Sequence, residues 1–167
     1  MGQHFLNMEA RLRSAETLPS TGIAASVRIA TKAGLVAAGD LSAGDTILTR
    51  DSGYRPIRCI TPLGLLPCGA APGAALWLRP DHGILGRDTS GEEVLMPLRR
   101  LLAPGHAGFA RHLVLSISLD RHEVILAEGQ WIESAPGLSS PAARPRAEMP
   151  EAESMRNFRV AGGGWRA

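Results

Sequence analysis

The chain has 167 residues, the size of one domain with tails, and only 4% are aromatic against a hydrophobic fraction of 44%, so Leu, Val, Ile and Ala must build a small aliphatic core. With 18 basic and 16 acidic side chains the net charge is +2, which excludes a nucleic-acid-binding face. No stretch approaches the roughly 20 apolar residues of a membrane helix, and Cys59 and Cys68 fit neither a metal spacing nor a disulfide framework, so no metal, cofactor or membrane partner is expected.

Residues 1–21 are expected to be a flexible arm. Met8 to Ala15 contains helix formers, but the run is short and is broken by Pro19, Ser20 and Thr21. The start also lacks the roughly 7–15 apolar residues of a secretory signal, which makes a reducing, cytoplasmic setting the expectation. From there the pattern becomes short β-prone runs separated by turn residues. Val27 to Thr31 and Leu35 to Ala38 flank Lys32-Ala33-Gly34 and read as a hairpin. Thr46 to Arg50 and Arg55 to Ile60 flank Asp51-Ser52-Gly53-Tyr54 and read as a second, with Pro56 at an edge or strand start.

Further runs follow at Ala75 to Leu78, His82 to Leu85 and Glu93 to Met96, and Leu98 to Leu102 reads as a helical turn. In Leu113 to Leu119 the strict alternation predicts one face made of Leu113, Leu115, Ile117 and Leu119. Eight or nine short strands at this spacing predict an all-β fold of short antiparallel strands and hairpins with little helix, spanning 22–137. Residues 138–167, rich in Pro, Ala and Gly, are expected to be disordered.

Three blocks carry a family resemblance. The first runs from Arg28-Ile29-Ala30-Thr31 through Gly39-Asp40-Leu41-Ser42-Ala43-Gly44-Asp45 and Ile47-Leu48-Thr49-Arg50-Asp51 to Arg55-Pro56-Ile57-Arg58. The second is Arg79-Pro80-Asp81-His82-Gly83-Ile84-Leu85 with Val94-Leu95-Met96-Pro97. The third is Leu119-Asp120-Arg121-His122-Glu123-Val124-Ile125-Leu126-Ala127-Glu128-Gly129, continued by Trp131, Glu133 and Ser134. In this order they resemble the bacterial branch of the hedgehog/intein superfamily, the Hint domain. The resemblance implies a compact Hint-like fold and autocatalytic peptide-bond cleavage, in which a leading cysteine attacks the preceding carbonyl and a histidine protonates the departing amine.

Two departures from that pattern bear on activity. Gly22 stands where the cysteine belongs, and Arg79 stands three residues before His82 in place of Ser or Thr. By resemblance His82, His122 and Asp120 are the candidate site residues, with Asp120 and His122 pointing the same way along a strand as a possible acid/base pair. Thr21 and Ser26 are the nearby hydroxyls that could replace the thiol, although an alcohol is almost un-ionised at neutral pH. Cys59 and Cys68 precede no block they could serve, and Asn157 lies in the tail, away from the domain end where splicing would need it.

The resulting expectation is a Hint domain with absent or much reduced autoproteolysis. One alternative is an active domain making an acyl shift at residues 21–22 with a hydroxyl, its partner being its own N-terminal segment. Another is a small β-barrel that binds a protein partner. The resemblance also leaves signal-independent export open.

Overall fold

A computed structural model describes residues 20–70, 75–102, 108–136, 141–147 and the backbone of 159–160. Among them the chain forms thirteen strands: β1 (Ile23–Ala24), β2 (Arg28–Thr31), β3 (Gly34–Ala37), β4 (Thr46–Thr49), β5 (Gly53–Pro56), β6 (Cys59–Ala70), β7 (Trp77–Leu78), β8 (Gly83–Arg87), β9 (Glu93–Pro97), β10 (Phe109–Ser118), β11 (Val124–Ala127), β12 (Gln130–Glu133) and β13 (Arg159–Val160). The one described α-helical turn is α1 (Leu98–Leu101). The fold is all-β, and its ladders are antiparallel, as the short alternating runs predict.

Strands β1, β10, β6 and β7 close a small barrel, while β13, β8, β12, β11, β2, β4 and β5 follow one another in a larger sheet, with β3 on β2 and β9 on β8. Turn chemistry accounts for the hairpins. Glu128 and Gly129, both at positive φ (47° and 76°), form the two-residue connection of β11 to β12 that a right-twisted ribbon favours. At the corner before β4, Asp45 accepts the Ser42 amide at 2.8 Å, so its carboxylate satisfies a turn donor. One aliphatic core joins both sheets through Ile23, Val27, Ile29, Ile47, Leu78, Ile84, Val114, Ile117, Ile125 and Ile132. Ile84 is fully buried at the β8–β12 contact opposite Ile132. Ile84→Ala therefore costs about 2–5 kcal/mol of unfolding free energy, read from the urea midpoint.

Several expectations change. The predicted strand Arg55 to Ile60 is split, because Pro56 ends β5 and the Ile57 and Arg58 amides turn instead to the Asp45 and Ser118 carbonyls. The Gly/Pro-rich stretch around Cys68 belongs to the longest strand, β6. Its register with β10 tolerates Pro62 and Pro67 because most of the other edge of β6 is unpaired.

In β10 the predicted single apolar face is broken. Leu115, Ile117 and Leu119 are buried and Leu113 is exposed, but Val114 is also in the core, next to a register shift at which Leu63 is the extra residue on β6. Residues 141–147, expected to be disordered, pack as a strap along β9. The Leu95 amide donates to the Pro145 carbonyl and the Ala147 amide to the Leu95 carbonyl. Composition understates such a segment because its ordering comes from long-range partners. Arg159 and Val160, in the same expected tail, pair with Arg87 and Gly86. Residues 1–19, which make up most of the expected arm, and Asn157 lie outside the described residues.

Candidate functional site

The site grows from a single turn. The His82 amide donates to the Arg79 carbonyl at 3.0 Å, closing Arg79-Pro80-Asp81-His82 with proline at the second position, where its fixed φ suits a turn. The turn is anchored on both sides, by the Arg79 amide on the Gly22 carbonyl at 3.0 Å and by the Leu98 and Arg99 amides on the His82 and Pro80 carbonyls. His82 is thereby carried to the start of β1. The Gly22 amide donates to His82 Nδ1 at 3.0 Å. Since Nδ1 accepts, the ring proton of neutral His82 sits on Nε2.

That imidazole is 1% exposed, and its Nε2 has no partner in hydrogen-bonding geometry among the described residues. Burial is the main reason that its pKa lies below the ordinary histidine value. Glu133, through its charge and its main chain, opposes that shift, while Arg146 and His122 add to it. Arg79, which stands in the place of Ser or Thr three residues before His82, directs its guanidinium to the Pro67 carbonyl at 3.2 Å.

Next to the amide there is no room for a side chain at position 22. A Cβ on Gly22 would stand 2.5 Å from Val114 Cγ1, 3.1 Å from Arg79 Cγ and 3.3 Å from Leu63 Cδ1. The β6–β10 ladder shifts register here, with Leu63 of β6 as the extra residue, and both Val114 and Leu63 face this spot. The histidine and the amide therefore meet, while the volume a nucleophile would need is filled.

Behind His82 lies a buried carboxylate. Glu133, at the end of β12 and 0% exposed, accepts the Gly83 amide at 2.6 Å and binds Arg146 Nη2 at 2.7 and 2.9 Å. Its Oε2 lies 3.1 Å from His122 Nε2. Glycine at 83 is what permits the approach, since a Cβ there would stand 2.9 Å from Glu133 Oε1. His122 Nδ1 accepts the Ala143 amide at 3.1 Å, which leaves its Nε2 proton directed to Glu133. Burial pushes the Glu133 carboxyl up, but His122, His82, Arg146 and the Gly83 amide outweigh it and hold the pKa at about 2.

The predicted residues divide accordingly. His82 and His122 come together around Glu133. Asp120 does not join them: the stretch holding Asp120 and His122 is a turn between β10 and β11, so the two-residue strand periodicity does not apply. The Asp120 carboxylate is exposed and forms an ion pair with Arg58. Thr21 is buried beside Gly22 and lines the cleft at His82 with Ser116 and Ala135, whereas Ser26 is exposed beyond β1.

Cys68 is buried in β6 and its thiol is pushed up to about 11 by desolvation, despite Arg79 nearby. Cys59 is exposed. Among the described residues no group of three His, Cys, Asp or Glu side chains could hold a metal ion, and no helix is long and apolar enough to cross a membrane. Sequence reasoning assigned no role to Glu133, Arg146 or Val114. For Glu133 the available signals were its place in the third resemblance block and its position closing the apolar run Trp131-Ile132-Glu133.

The fold and site define an all-β antiparallel domain with a histidine held on a main-chain amide and a buried carboxylate behind it. No protein-family model matches the chain, and no curated protein matches it. Solved structures similar to it are inteins. The MchDnaB-1 intein matches at 16% identity and a TM-score of 0.45, over 67% of this chain and 98% of that one. The gp41-1 intein matches at 14% identity and a TM-score of 0.36, over 69% and 98%.

Proposed function

We propose that this chain is a Hint domain whose autoproteolytic activity is absent or much reduced. The observation that carries this reading is the Gly22 amide bonded to His82 Nδ1 at 3.0 Å, with the space beyond the Gly22 Cα filled by Val114. In an acyl shift at this position a side chain of residue 22 would add to the Thr21 carbonyl carbon. The C–N bond to residue 22 would then break, and a protonated His82 would give the departing nitrogen its proton. Glycine supplies no such side chain, and neutral His82 holds the amide as an acceptor. What survives is the frame of the reaction without its nucleophile.

The reading in which a hydroxyl replaces the thiol has less support. The Ser26 side chain is exposed, away from the cleft at His82, and Thr21 Oγ1 would have to attack its own carbonyl through a strained four-membered ring. The reading as an unrelated binding barrel implies that Asp120, His122 and His82 lie apart; Asp120 does lie away, on Arg58, but His122 is 3.1 Å from Glu133, the carboxylate that takes the amide of Gly83 next to His82. Intact-mass measurement of freshly purified chain, with and without hydroxylamine, tests the proposal. The expected result is a single uncleaved mass under both conditions. A fragment beginning at residue 22, or cleavage that depends on hydroxylamine, would overturn it.

A further inference from the structure

Glu133 and Arg146 are placed to act on His82 with opposite charge. Glu133 reaches the residue after His82 through the Gly83 amide, at 2.6 Å. Arg146 arrives from the strap, half-exposed, and grips both oxygens of that carboxylate. A second strap contact, the Ala143 amide on His122 Nδ1, fixes the other histidine against the same carboxylate. The strap therefore makes two of its polar contacts inside the histidine site and not merely against the sheet.

We propose that Glu133 and Arg146 are a charge-opposed positioning pair that holds His82 as a neutral acceptor for the Gly22 amide, with residues 141–147 clamping the pair in place. The proposal rests on the reading of His82 and Gly22 as the remains of a self-cleavage site and names what controls its histidine. The elements around His82 bring one carboxylate, one guanidinium and a second imidazole. Strand β12 brings Glu133, the strap brings Arg146, and the turn before β11 brings His122.

On its own turn Asp81 is paired with Arg99, and Arg79 points to Pro67. The residues of β1 and β10 that line the cleft, Ile23, Leu115, Ser116 and Ile117, carry no charge. The anion favours the imidazolium and the cation disfavours it. Arg146, by occupying the carboxylate, leaves burial dominant, and His82 stays neutral with Nδ1 free to accept.

The opposed signs separate this role from a merely structural one. Breaking a structural ion pair from either side loosens the same contact, so both variants would change the site in the same direction. A charge role moves His82 in opposite directions. The experiment follows the His82 ring nitrogens and Gly22 amide exchange by NMR, in the full chain, from roughly neutral pH down to the onset of acid unfolding.

Arg146→Gln is expected to raise the pH at which His82 protonates and, below that pH, to speed Gly22 amide exchange, because an imidazolium cannot accept. Glu133→Gln keeps a carbonyl oxygen for the Gly83 amide and is expected to lower it. Shifts of the same sign, or an Arg146→Gln protein whose His82 titrates as in the unaltered chain, would overturn the proposal. Should Glu133→Gln fail to fold, the Arg146→Gln result decides alone. Cleavage in the mass measurement would sink the reading of the inactive site without touching these titrations, so the two failures are distinguishable.

Discussion

Gly22→Cys combined with Val114→Ala converts a chain that stays intact into one that dithiothreitol cleaves between residues 21 and 22, while Gly22→Cys alone does not. The reason is steric before it is chemical. A Cβ at position 22 would stand 2.5 Å from Val114 Cγ1, a distance real side chains do not adopt, so the thiol of the single variant has to displace β10 or lie off line. Trimming Val114 to alanine removes that methyl group, and the remaining neighbours, Arg79 Cγ and Leu63 Cδ1, belong to side chains that can rotate.

The substitution costs about 2 kcal/mol as a core truncation. That loss leaves most domains folded. The new thiol passes its proton to His82 Nδ1 and attacks the Thr21 carbonyl; the peptide bond between residues 21 and 22 then breaks to a thioester as the departing nitrogen takes that proton back from His82. Dithiothreitol carries the acyl group away. The measurement is the cleaved fraction by intact mass after overnight incubation, expected to go from none to a clear product band. Equal cleavage in the single variant would remove Val114 as the obstacle. No cleavage in a well-folded double variant would mean that His82 cannot protonate the departing nitrogen.

Removing the Glu133 carboxylate is the second large effect. Glu133→Ala is expected to cost about 3–5 kcal/mol, because it strips the partner from the Gly83 amide, the His122 ring and the Arg146 guanidinium at once. The same group shapes the acid limb of stability. A carboxylate whose pKa falls from 4.5 to about 2 on folding adds stability that is complete above the unfolded value and disappears as pH falls through about 2. That shift corresponds to about 3 kcal/mol.

His82, with a depressed pKa in the folded state, acts in the same direction from a higher pH. Below the ordinary histidine value of 6.5 the unfolded chain takes up a proton that the buried ring refuses, so stability declines as pH falls from there. Urea midpoints measured across this range should therefore fall in two stages. Glu133→Gln, which cannot ionise, should flatten the lower stage, while the upper one still begins near the ordinary histidine value and extends to lower pH because His82 loses its anionic neighbour. An unchanged lower stage in that variant would show that Glu133 does not carry it.

Legibility in the sequence followed the range of the interactions. The hairpins β2–β3 and β4–β5 were readable because alternation and turn residues act over a few positions. Strand β6 was not, since Pro62, Gly64 and Pro67 suggest a loop until β10 supplies the hydrogen bonds of one edge. The strap looked like a disordered tail because ordering Ala143 and Arg146 depends on His122 and Glu133, groups folded elsewhere.

By itself the sequence determined two of the hairpins, the all-β class, the two histidines in their motif blocks and the absence of a thiol at position 22, all of them properties of residue type at fixed spacing. Tertiary structure alone decided which carboxylate joins the histidines and what fills the nucleophile's place. The pairing of β1 with β10 set Val114 against Gly22, and a turn in place of a strand sent Asp120 to Arg58 and left Glu133 behind His82. Register and chain crossing are set by the whole core, so local spacing could name the histidines without showing what surrounds them.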